Sequence, residues 1–345
     1  MPRPKIKVAI ISYYSGYVSR GVETFVAELS SRARPGFKVV VYHEKPDQII
    51  MPGKFLNPLA IAFFTLKTLF SLASDPPDIL MPLNNNWMSL FSKFFCFFFK
   101  TKLILAGFAG IGRIDKLNLW LNPDRFICCT QAQSDWAKTI NPKAKLSVIP
   151  IGVNTDRFKP EGKKFSLNLK PPVILCVAGP EKYKRIDLAI RAVKQTSASL
   201  LVVGHQSEST NQLGKKLLGL RYQNLQIDYQ NLDSVYRSAD LFTLPSESTE
   251  AYGITILEAL ACGLPVIVNN DPIRQELVGQ AGVLIDPSHL NLYTQTINQN
   301  LKSKNKAVFR QQALKFSWDK IISQHEKLWQ SLIALKRFFL ICSFC

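Results

Sequence analysis

Residues 245–270 read PSESTEAYGITILEALACGLPVIVNN and give the clearest indication of the fold. A buried strand ends at Pro245, and a loop rich in serine and glutamate follows it. Gly253 then precedes the helix-forming run ILEALA, which ends at the GLP of residues 263–265. A second apolar run, VIVNN, follows at once. A strand, a helix and a further strand in this order predict one unit of a parallel sheet with a helical crossover.

The same alternation runs through the whole chain of 345 residues. The apolar runs are KVAIIS, FKVVVYH, PDILMPL, TKLILAG, RFICCT and KLSVIPIG in the first half, then PVILCVAG, SLLVVGH, LQIDYQN, DLFTLPS, PVIVNN and AGVLID. Continuous apolar runs are typical of strands buried on both faces. The polar stretch NTDRFKPEGKKFSLNLKPP between the halves is typical of a linker. We therefore predict an α/β protein of two doubly wound domains that face a cleft, with ligands beyond the carboxyl ends of the strands.

The composition narrows the class of protein and the sign of its partners. There are 43 Lys and Arg against 25 Asp and Glu, a net charge of +18, and 47% of the residues are hydrophobic. These values exclude a disordered chain and a small disulfide scaffold. The charge favours anionic partners, but no motif of a nucleic-acid-binding module accompanies it, and we predict no nucleic-acid partner. Seven scattered cysteines indicate a reducing compartment, so we predict a cytoplasmic location.

Two glutamates, Glu250 and Glu258, flank Gly253 in the opening stretch. The helix that begins near Gly253 exposes unpaired backbone N–H groups, and the glycine lets an anion come close to them. A carboxylate only accepts hydrogen bonds, which suits it to hold a pair of sugar hydroxyls. Two alternatives stay open: glutamates that merely stabilise the helix dipole, and the carboxylate pair of a glycosidase.

The two glutamates and the seven residues between them resemble the donor-site motif of retaining glycosyltransferases of family 4, also called group 1 glycosyltransferases. Other stretches are similar to this family in the same order along the chain: SRGVETFVAEL, IPIGVNTDRFKP, KYKRIDLAIRAV, VYRSADLFTLPS and FSWDKIISQHEKLW. Together they cover most of the chain. The resemblance implies the GT-B fold, in which two Rossmann-like domains are followed by a helix that crosses back to the first domain.

This resemblance also implies how the chain is divided. Residues 1–160 are expected to form the N-terminal Rossmann-like acceptor domain, and residues 161–315 the C-terminal Rossmann-like donor domain for the nucleotide sugar. Residues 316–330 are expected to form the closing helix. Residues 331–345 are expected to form a hydrophobic and basic tail.

The implied function is transfer of a sugar from a nucleotide-diphosphate sugar to a hydroxyl acceptor, lipid-linked or polysaccharide, with retention of configuration and with no metal or cofactor. Glu250, on the transferred sugar, and Lys184, on the leaving diphosphate, are the implied catalytic residues. The implied donor-binding residues are Glu258 on the ribose hydroxyls, and on the diphosphate Arg185, Gly253, Ile254, Thr255 and Gly21. Cations and helix N-termini would stabilise the charge that develops on the leaving phosphate.

Two positions depart from the family pattern. Gly179 stands where members commonly have an arginine on the diphosphate, and Phe108 stands where many have a histidine near the sugar. The alternative prediction is therefore a catalytically weak or inactive protein of the same fold, which binds sugar nucleotides or a membrane surface. The four histidines show no convincing metal-binding pattern: His43, His205, His289 and His325.

Two stretches, residues 54–74 and 89–105, are rich in phenylalanine and leucine with interspersed lysines. In one interpretation they are helices that cover the core, with lysines that extend outward. In the other they form an amphipathic face for an anionic membrane surface or a lipid-linked acceptor. Neither stretch contains the roughly 18 uninterrupted apolar residues of a spanning helix, so the hypothesis is a peripheral contact on the inner face of the membrane.

Overall fold

The computed structural model describes residues 5–17, 21–44, 58–83, 87–303 and 305–342. The chain divides into two compact units. The first unit comprises Met1–Gly152 together with Trp318–Cys345, and the second comprises Val153–Ser317. Each unit is an α/β structure with one parallel sheet of six strands.

The elements of the first unit up to residue 152 are β1 (Ile6–Ile11), α1 (Gly21–Arg32), β2 (Phe37–Tyr42), α2 (Pro58–Leu72), β3 (Ile79–Pro82), α3 (Trp87–Phe98), β4 (Lys102–Ala106), α4 (Arg113–Trp120), β5 (Arg125–Cys128), α5 (Gln131–Ile140) and β6 (Leu146–Val148). Those of the second unit are β7 (Val173–Val177), α6 (Ile186–Lys194), β8 (Ser199–Val203), α7 (Glu208–Leu218), β9 (Tyr222–Leu225), α8 (Leu232–Tyr236), β10 (Leu241–Leu244), α9 (Ile254–Ala261), β11 (Val266–Asn269), α10 (Pro272–Val278), β12 (Gly282–Ile285), α11 (Leu290–Asn300) and α12 (Lys306–Leu314). The last helix, α13 (Trp318–Cys342), belongs to the first unit.

The first sheet has the strand order β2-β1-β3-β4-β5-β6, and its paired strands are parallel. Strand β3 is fully buried, and so are the last four residues of β1 and of β4. A core cluster joins these strands to α2 and α3 through side chains such as Ile11, Leu80, Leu103 and Phe64. Helices on the sheet therefore explain why the strand sequences are continuously apolar rather than alternating.

Helix α13 packs against α1 and β1 of the first unit. The ring of Phe25 lies beside Trp318, with 5.6 Å between the ring centroids, and beside His325 at 5.5 Å. The guanidinium of Arg34 binds the buried carboxylate of Glu326. Apolar packing and the ion pairs of Arg34 with Glu326 and of Arg32 with Asp319 thus attach α13 to the rest of the first unit.

The closing helix is longer than the segment expected for it. It begins at Trp318 and runs without interruption to Cys342, so most of the stretch expected to be a tail continues the helix. The residues beyond Cys342 lie outside the described part of the chain. Within the described part, no helix is both long enough and apolar enough to cross a membrane.

The second sheet has the strand order β12-β11-β10-β7-β8-β9. From β7 the chain builds outward through β8 and β9, then returns to the other side of β7 and builds outward again from β10. The loops after β7 and β10 therefore diverge at the point where the winding direction reverses, which is where doubly wound sheets bind ligands. The predicted fold class of two doubly wound parallel sheets is confirmed.

The prediction of a strand in LQIDYQN, residues 225–231, was wrong. The strand is β9, and residues 229–231 form one turn of 3-10 helix. Because β9 is an edge strand with β8 as its neighbour, it accommodates polar residues. The side-chain amide of Asn224 donates to the carbonyls of Val202 and Gly204, at 3.0 and 2.9 Å. Hydrophobicity alone therefore placed the strand too late in the chain.

The two aromatic stretches, residues 54–74 and 89–105, are not simply two helices. The first contains α2, and its residues 54–57 lie outside the described part of the chain. The second contains most of α3 and then β4, because the helix ends at Phe98 and the sheet resumes at Lys102. Lys100, with φ of 51°, lies in the turn between them.

Candidate functional site

Three interactions join the loops that follow β7 and β10. The backbone N–H of Glu247 donates to the carbonyl of Tyr183 at 2.8 Å. The ammonium of Lys184 forms an ion pair with the carboxylate of Glu250, 66 positions further along the chain. The guanidinium of Arg185 lies 3.5 Å from a carboxylate oxygen of Glu247. The fold thus assembles one polar site from two segments that are distant in sequence.

The ion pair of Lys184 and Glu250 is largely withdrawn from water. The two side chains are 15% and 9% exposed. Burial lowers the pKa of Lys184, but the charge and the hydrogen bond of Glu250 raise it, and the net effect is a pKa above the ordinary value of 10.5. Lys184 is therefore a positive charge at neutral pH, held in place by a carboxylate.

Arg274 on α10 binds the loop that carries Glu250. It was not singled out from the sequence. Its guanidinium is fully buried. One nitrogen donates to the carbonyl of Glu250 and to the carboxylate of Asp271, both at 3.1 Å, and the other donates to the hydroxyl of Ser246 at 3.3 Å. Arg274 therefore fixes the backbone of the loop that carries Glu250. No short motif marks Arg274, because its contacts with Glu250 and Ser246 form only in the fold.

Arg185 is the less buried cation of the site. Its φ of 51° lies in the left-handed region, and it ends the 3-10 turn formed by residues 182–184. Its guanidinium lies 3.5 Å from Asp187 as well as from Glu247. Because both partners are exposed carboxylates, these contacts are weak.

The start of helix α9 has the geometry of an anion site. Gly253 precedes the helix with φ of 87°, and no side chain caps the helix start. Ile254 and Thr255 form the first turn, whose backbone N–H groups have no carbonyl partner within a helix. The helix dipole and these donors favour negative charge there. Gly21 begins helix α1 and belongs to the first unit.

Glu258 on α9 is 2% exposed, and both of its carboxylate oxygens have tyrosine partners. The hydroxyl of Tyr236 donates to Oε2 at 2.8 Å, and that of Tyr229 donates to Oε1 at 3.3 Å. Burial raises the pKa of Glu258 to about 7, against the opposing effects of Tyr236, the charge of Arg157, and Tyr229. The sequence did not single out these three neighbours.

Two positions depart from the family pattern, Gly179 and Phe108. Neither carries a polar side chain. A Cβ on Gly179 would clash with the carboxylate of Glu181, so a larger residue there would require Glu181 to move. The ring of Phe108 packs edge to face on Phe25, with 4.6 Å between centroids. Among the described residues, no cluster of three or more histidine, cysteine or carboxylate side chains could hold a metal ion.

Residues 158–315, which include Lys184, Glu250 and Glu258, match the family model described as glycosyl transferases group 1. The predicted resemblance to this family is confirmed. A GDP-mannose-dependent alpha-(1-6)-phosphatidylinositol monomannoside mannosyltransferase of Mycolicibacterium smegmatis is 26% identical over 199 residues, which are 51% of this chain and 52% of that protein. The O-antigen biosynthesis glycosyltransferase WclY of Escherichia coli is 28% identical over 237 residues, 64% of this chain and 65% of that protein. The matches thus span between half and two thirds of the length of these relatives.

Solved structures show the same fold over nearly the whole chain. A glycosyltransferase from Rickettsia africae superposes with a TM-score of 0.73 at 19% identity, covering 95% of this chain and 99% of its own. Anabaena Alr3699/HepE in complex with UDP and glucose superposes with a TM-score of 0.72 at 17% identity, covering 94% of this chain and 100% of its own. The predicted GT-B fold is confirmed.

Proposed function

We propose that this protein is a glycosyltransferase that moves a sugar from a nucleotide-diphosphate sugar to a hydroxyl acceptor with retention of configuration. The observation that carries the proposal is the buried ion pair of Lys184 and Glu250 at the switch point of the second sheet, next to the open start of α9. Arg274 donates a hydrogen bond to the carbonyl of Glu250 and so fixes this loop, which makes the site preorganised. Preorganised charge of this kind stabilises a leaving diphosphate.

In this proposal Lys184 and Glu250 have different roles in the reaction. Departure of the diphosphate places negative charge on its oxygens, and Lys184 with the N–H groups of Ile254 and Thr255 stabilises that charge. Lys184 therefore shares its ammonium between Glu250 and phosphate. Glu250 in turn accepts hydrogen bonds from hydroxyls of the transferred sugar. These cations and dipoles supply positive charge at the site, and we propose that the reaction uses no metal and no resident cofactor.

The comparisons support a nucleotide-diphosphate sugar as donor without selecting the base. The Anabaena structure contains UDP and glucose, whereas the mycobacterial relative is named as GDP-mannose-dependent. We propose an acceptor in polysaccharide or glycolipid biosynthesis, since the relatives' names refer to a phosphatidylinositol mannoside and to O-antigen. The buried free thiols, Cys176 and Cys262 among them, support a cytoplasmic location.

The test is titration of UDP, GDP and their sugar conjugates into the full chain, followed by product analysis with lipid acceptors. We expect one nucleotide to bind and the substitution Lys184→Ala to lower turnover at least a hundredfold, as loss of a preorganised charge does. Lys194→Ala removes an exposed lysine of α6 and is the matched control. A product of inverted configuration, or a Lys184→Ala variant with normal turnover, would contradict the proposal.

Helices α2 and α3 support a peripheral contact with a lipid surface. Leu59, Phe63, Leu66 and Phe70 are exposed and recur at helical spacing along α2, with Phe70 84% exposed. On α3, which packs against α2, the exposed aromatic residues include Phe94, Phe97 and Phe98. We name these seven residues the aromatic face. Exposed apolar residues in such number mark an interaction surface.

The charge around the aromatic face favours a membrane as the occupant. Neither α2 nor α3 contains an acidic residue. Lys67 lies 3.9 Å from Glu44, Lys93 donates to a backbone carbonyl at 2.8 Å, and Lys100 is exposed. We propose that the aromatic residues enter the headgroup region while these lysines meet anionic lipid on the inner face of the membrane.

Co-sedimentation with vesicles tests this contact. We expect the full chain to pellet with vesicles that contain phosphatidylglycerol, and the double substitution Phe63→Ser and Phe70→Ser to weaken partitioning roughly tenfold or more. Leu220→Ser removes a 96% exposed leucine of the second unit and serves as control. Unchanged pelleting of the double variant would rule out the aromatic face as the contact.

The second candidate is a protein of the same fold that binds its ligand with little or no catalysis. Phe108 packs on Phe25 in the first unit, and Gly179 in the second unit has no side chain, so neither position supplies the polar group of the family pattern. This favours a weak or inactive protein that binds sugar nucleotides or a membrane surface. Tight nucleotide binding without turnover, across a panel of donors and acceptors, would favour this candidate over the first.

A further inference from the structure

Glu258 is buried, and two tyrosines of the second unit donate hydrogen bonds to its carboxylate. Tyr236 donates to one carboxylate oxygen at 2.8 Å and Tyr229 to the other at 3.3 Å. A carboxylate suits a pair of vicinal hydroxyls because each of its oxygens can accept one of them. In this structure the two phenols take the positions that two such hydroxyls would require.

The two tyrosines are held very differently. Tyr236, on α8, is fully buried between the rings of Phe158 and Phe242, with centroid distances of 5.7 and 6.0 Å. Its hydroxyl also donates to the carbonyl of Thr255 at 3.3 Å. Movement of Tyr236 would disrupt the core, so it is a fixed partner of Glu258.

Tyr229 is half-buried and lies on the one-turn 3-10 helix that follows the edge strand β9. The guanidinium of Arg157 stands over its ring, 4.2 Å from the centroid, and lies 3.7 Å from Asp233. A single short turn has few backbone hydrogen bonds to break, and the bond from Tyr229 to Glu258 is the longer of the two. Tyr229 is therefore the partner that a ligand can replace.

We propose that the hydroxyl of Tyr229 holds the place of one ribose hydroxyl on Glu258, and that Tyr229 must release Glu258 before a nucleoside diphosphate binds. The inference rests on the proposed function, because it assumes a nucleotide at this site. Tyr229 then acts as an internal competitor that keeps the buried carboxylate hydrogen-bonded between turnovers and lowers the affinity for the nucleotide.

The experiment compares the full chain with Tyr229→Phe in calorimetric titrations with UDP and with GDP. The substitution removes the hydroxyl but keeps the ring against Arg157, so the packing is preserved. We expect the nucleotide to bind about three- to tenfold more tightly, the range of one ordinary hydrogen bond. Tyr222→Phe is the matched control, because its hydroxyl donates to Asn211 at 2.9 Å and not to Glu258. We expect it to leave the affinity unchanged.

A second probe shows whether the ribose is the group that competes. With 2′,3′-dideoxy forms of the same nucleotide, which lack both hydroxyls, we expect the gain from Tyr229→Phe to disappear. Binding that the substitution leaves unchanged or weakens, or a gain that persists with the dideoxy nucleotide, overturns this inference and leaves the proposed function intact. If neither nucleotide binds to either protein, both the proposed function and the inference are wrong.

Discussion

Arg274 shows why a buried charge is retained at this site. Taking a guanidinium out of water is costly unless its donors are satisfied. Here the two terminal nitrogens bind the carboxylate of Asp271, the hydroxyl of Ser246 and the carbonyl of Glu250, while Nε has no hydrogen-bond partner among the described residues. The carbonyl bond matters most for function, because it holds the backbone of the residue that forms the ion pair with Lys184. Arg274 is thus a positioning residue that does not itself reach the substrate in the proposed reaction.

His325 on α13 makes stability depend on pH. It is 1% exposed, and neither ring nitrogen has a hydrogen-bond partner in the described part of the structure. Burial lowers its pKa to about 3, so the folded protein keeps the ring neutral while the unfolded chain binds a proton below about 6.5. Stability is therefore lost as pH falls from 6.5 toward 3, and we expect a loss of about 2 kcal/mol at pH 5 from this residue.

Denaturant unfolding of wild type and of His325→Phe at pH 7.5 and pH 5 measures this effect. Phenylalanine fits the neighbouring rings of Phe25 and Trp329 and takes no proton. We expect the difference in unfolding free energy between the two pH values to be about 2 kcal/mol smaller in the variant. An equal loss in both proteins would show that other groups cause the acid sensitivity.

At the scale of elements, the start of α9 depends on the backbone of Gly253. Its φ of 87° is strained for any residue with a Cβ, and a Cβ would also lie 3.0 Å from Ile256. We expect Gly253→Ala to cost about 1–2 kcal/mol of unfolding free energy. We also expect it to weaken nucleotide binding, because the N–H groups of the first helical turn would shift. Thermal unfolding and calorimetry measure the two effects.

Gly219→Ala is the matched control for the substitution at Gly253. Gly219 ends α7 with φ of 57°, and a Cβ there would meet no atom within 4 Å. It therefore introduces comparable backbone strain away from the site. We expect it to lower stability without changing nucleotide affinity. If both variants lost affinity equally, a general loss of stability and not the start of α9 would explain the result.

In the molecule as a whole, the basic side chains that give the net charge of +18 lie in several different environments. Lys184 and Arg185 lie at the proposed diphosphate site, and Lys100 is exposed beside the aromatic face. Lys102, by contrast, forms an ion pair with Asp124 at 2.8 Å. Many basic side chains are thus committed to partners within the protein, which composition alone does not reveal.

Removal of metal ions tests whether these charges suffice for the proposed reaction. Because Lys184, Arg185 and the start of α9 supply positive charge at the site, we expect turnover to stay within about twofold after dialysis against EDTA. The measurement is initial rate before and after dialysis, with magnesium or manganese added back to a third sample. A rate that collapses and is restored by the metal would contradict a metal-independent reaction.

Much of the fold followed from local pattern. The apolar runs located eleven of the twelve strands of the structure approximately, because buried parallel strands are continuously apolar. The pattern failed at β9, where an edge strand is half polar. The resemblance in turn implied a closing helix of residues 316–330, whereas α13 extends to Cys342, into the stretch expected to be a tail. At the site, the spacing of Glu250 and Glu258 singled out both residues. It did not single out Arg274 or Tyr229, which belong to no motif.

The alternation of strands and helices, the two-domain α/β class, the resemblance to group 1 glycosyltransferases and the segment with the two glutamates could all be read from the residues alone. The three-dimensional contacts could not: that β7 lies next to β10, that Lys184 therefore meets Glu250, and that tyrosines cover Glu258. The physical reason is that periodicity reports which face of an element is buried, while contacts between distant segments depend on strand order. The aromatic face illustrates the same limit. Its sequence is as apolar as that of a core helix, and only the packing of α2 and α3 shows that its residues are exposed.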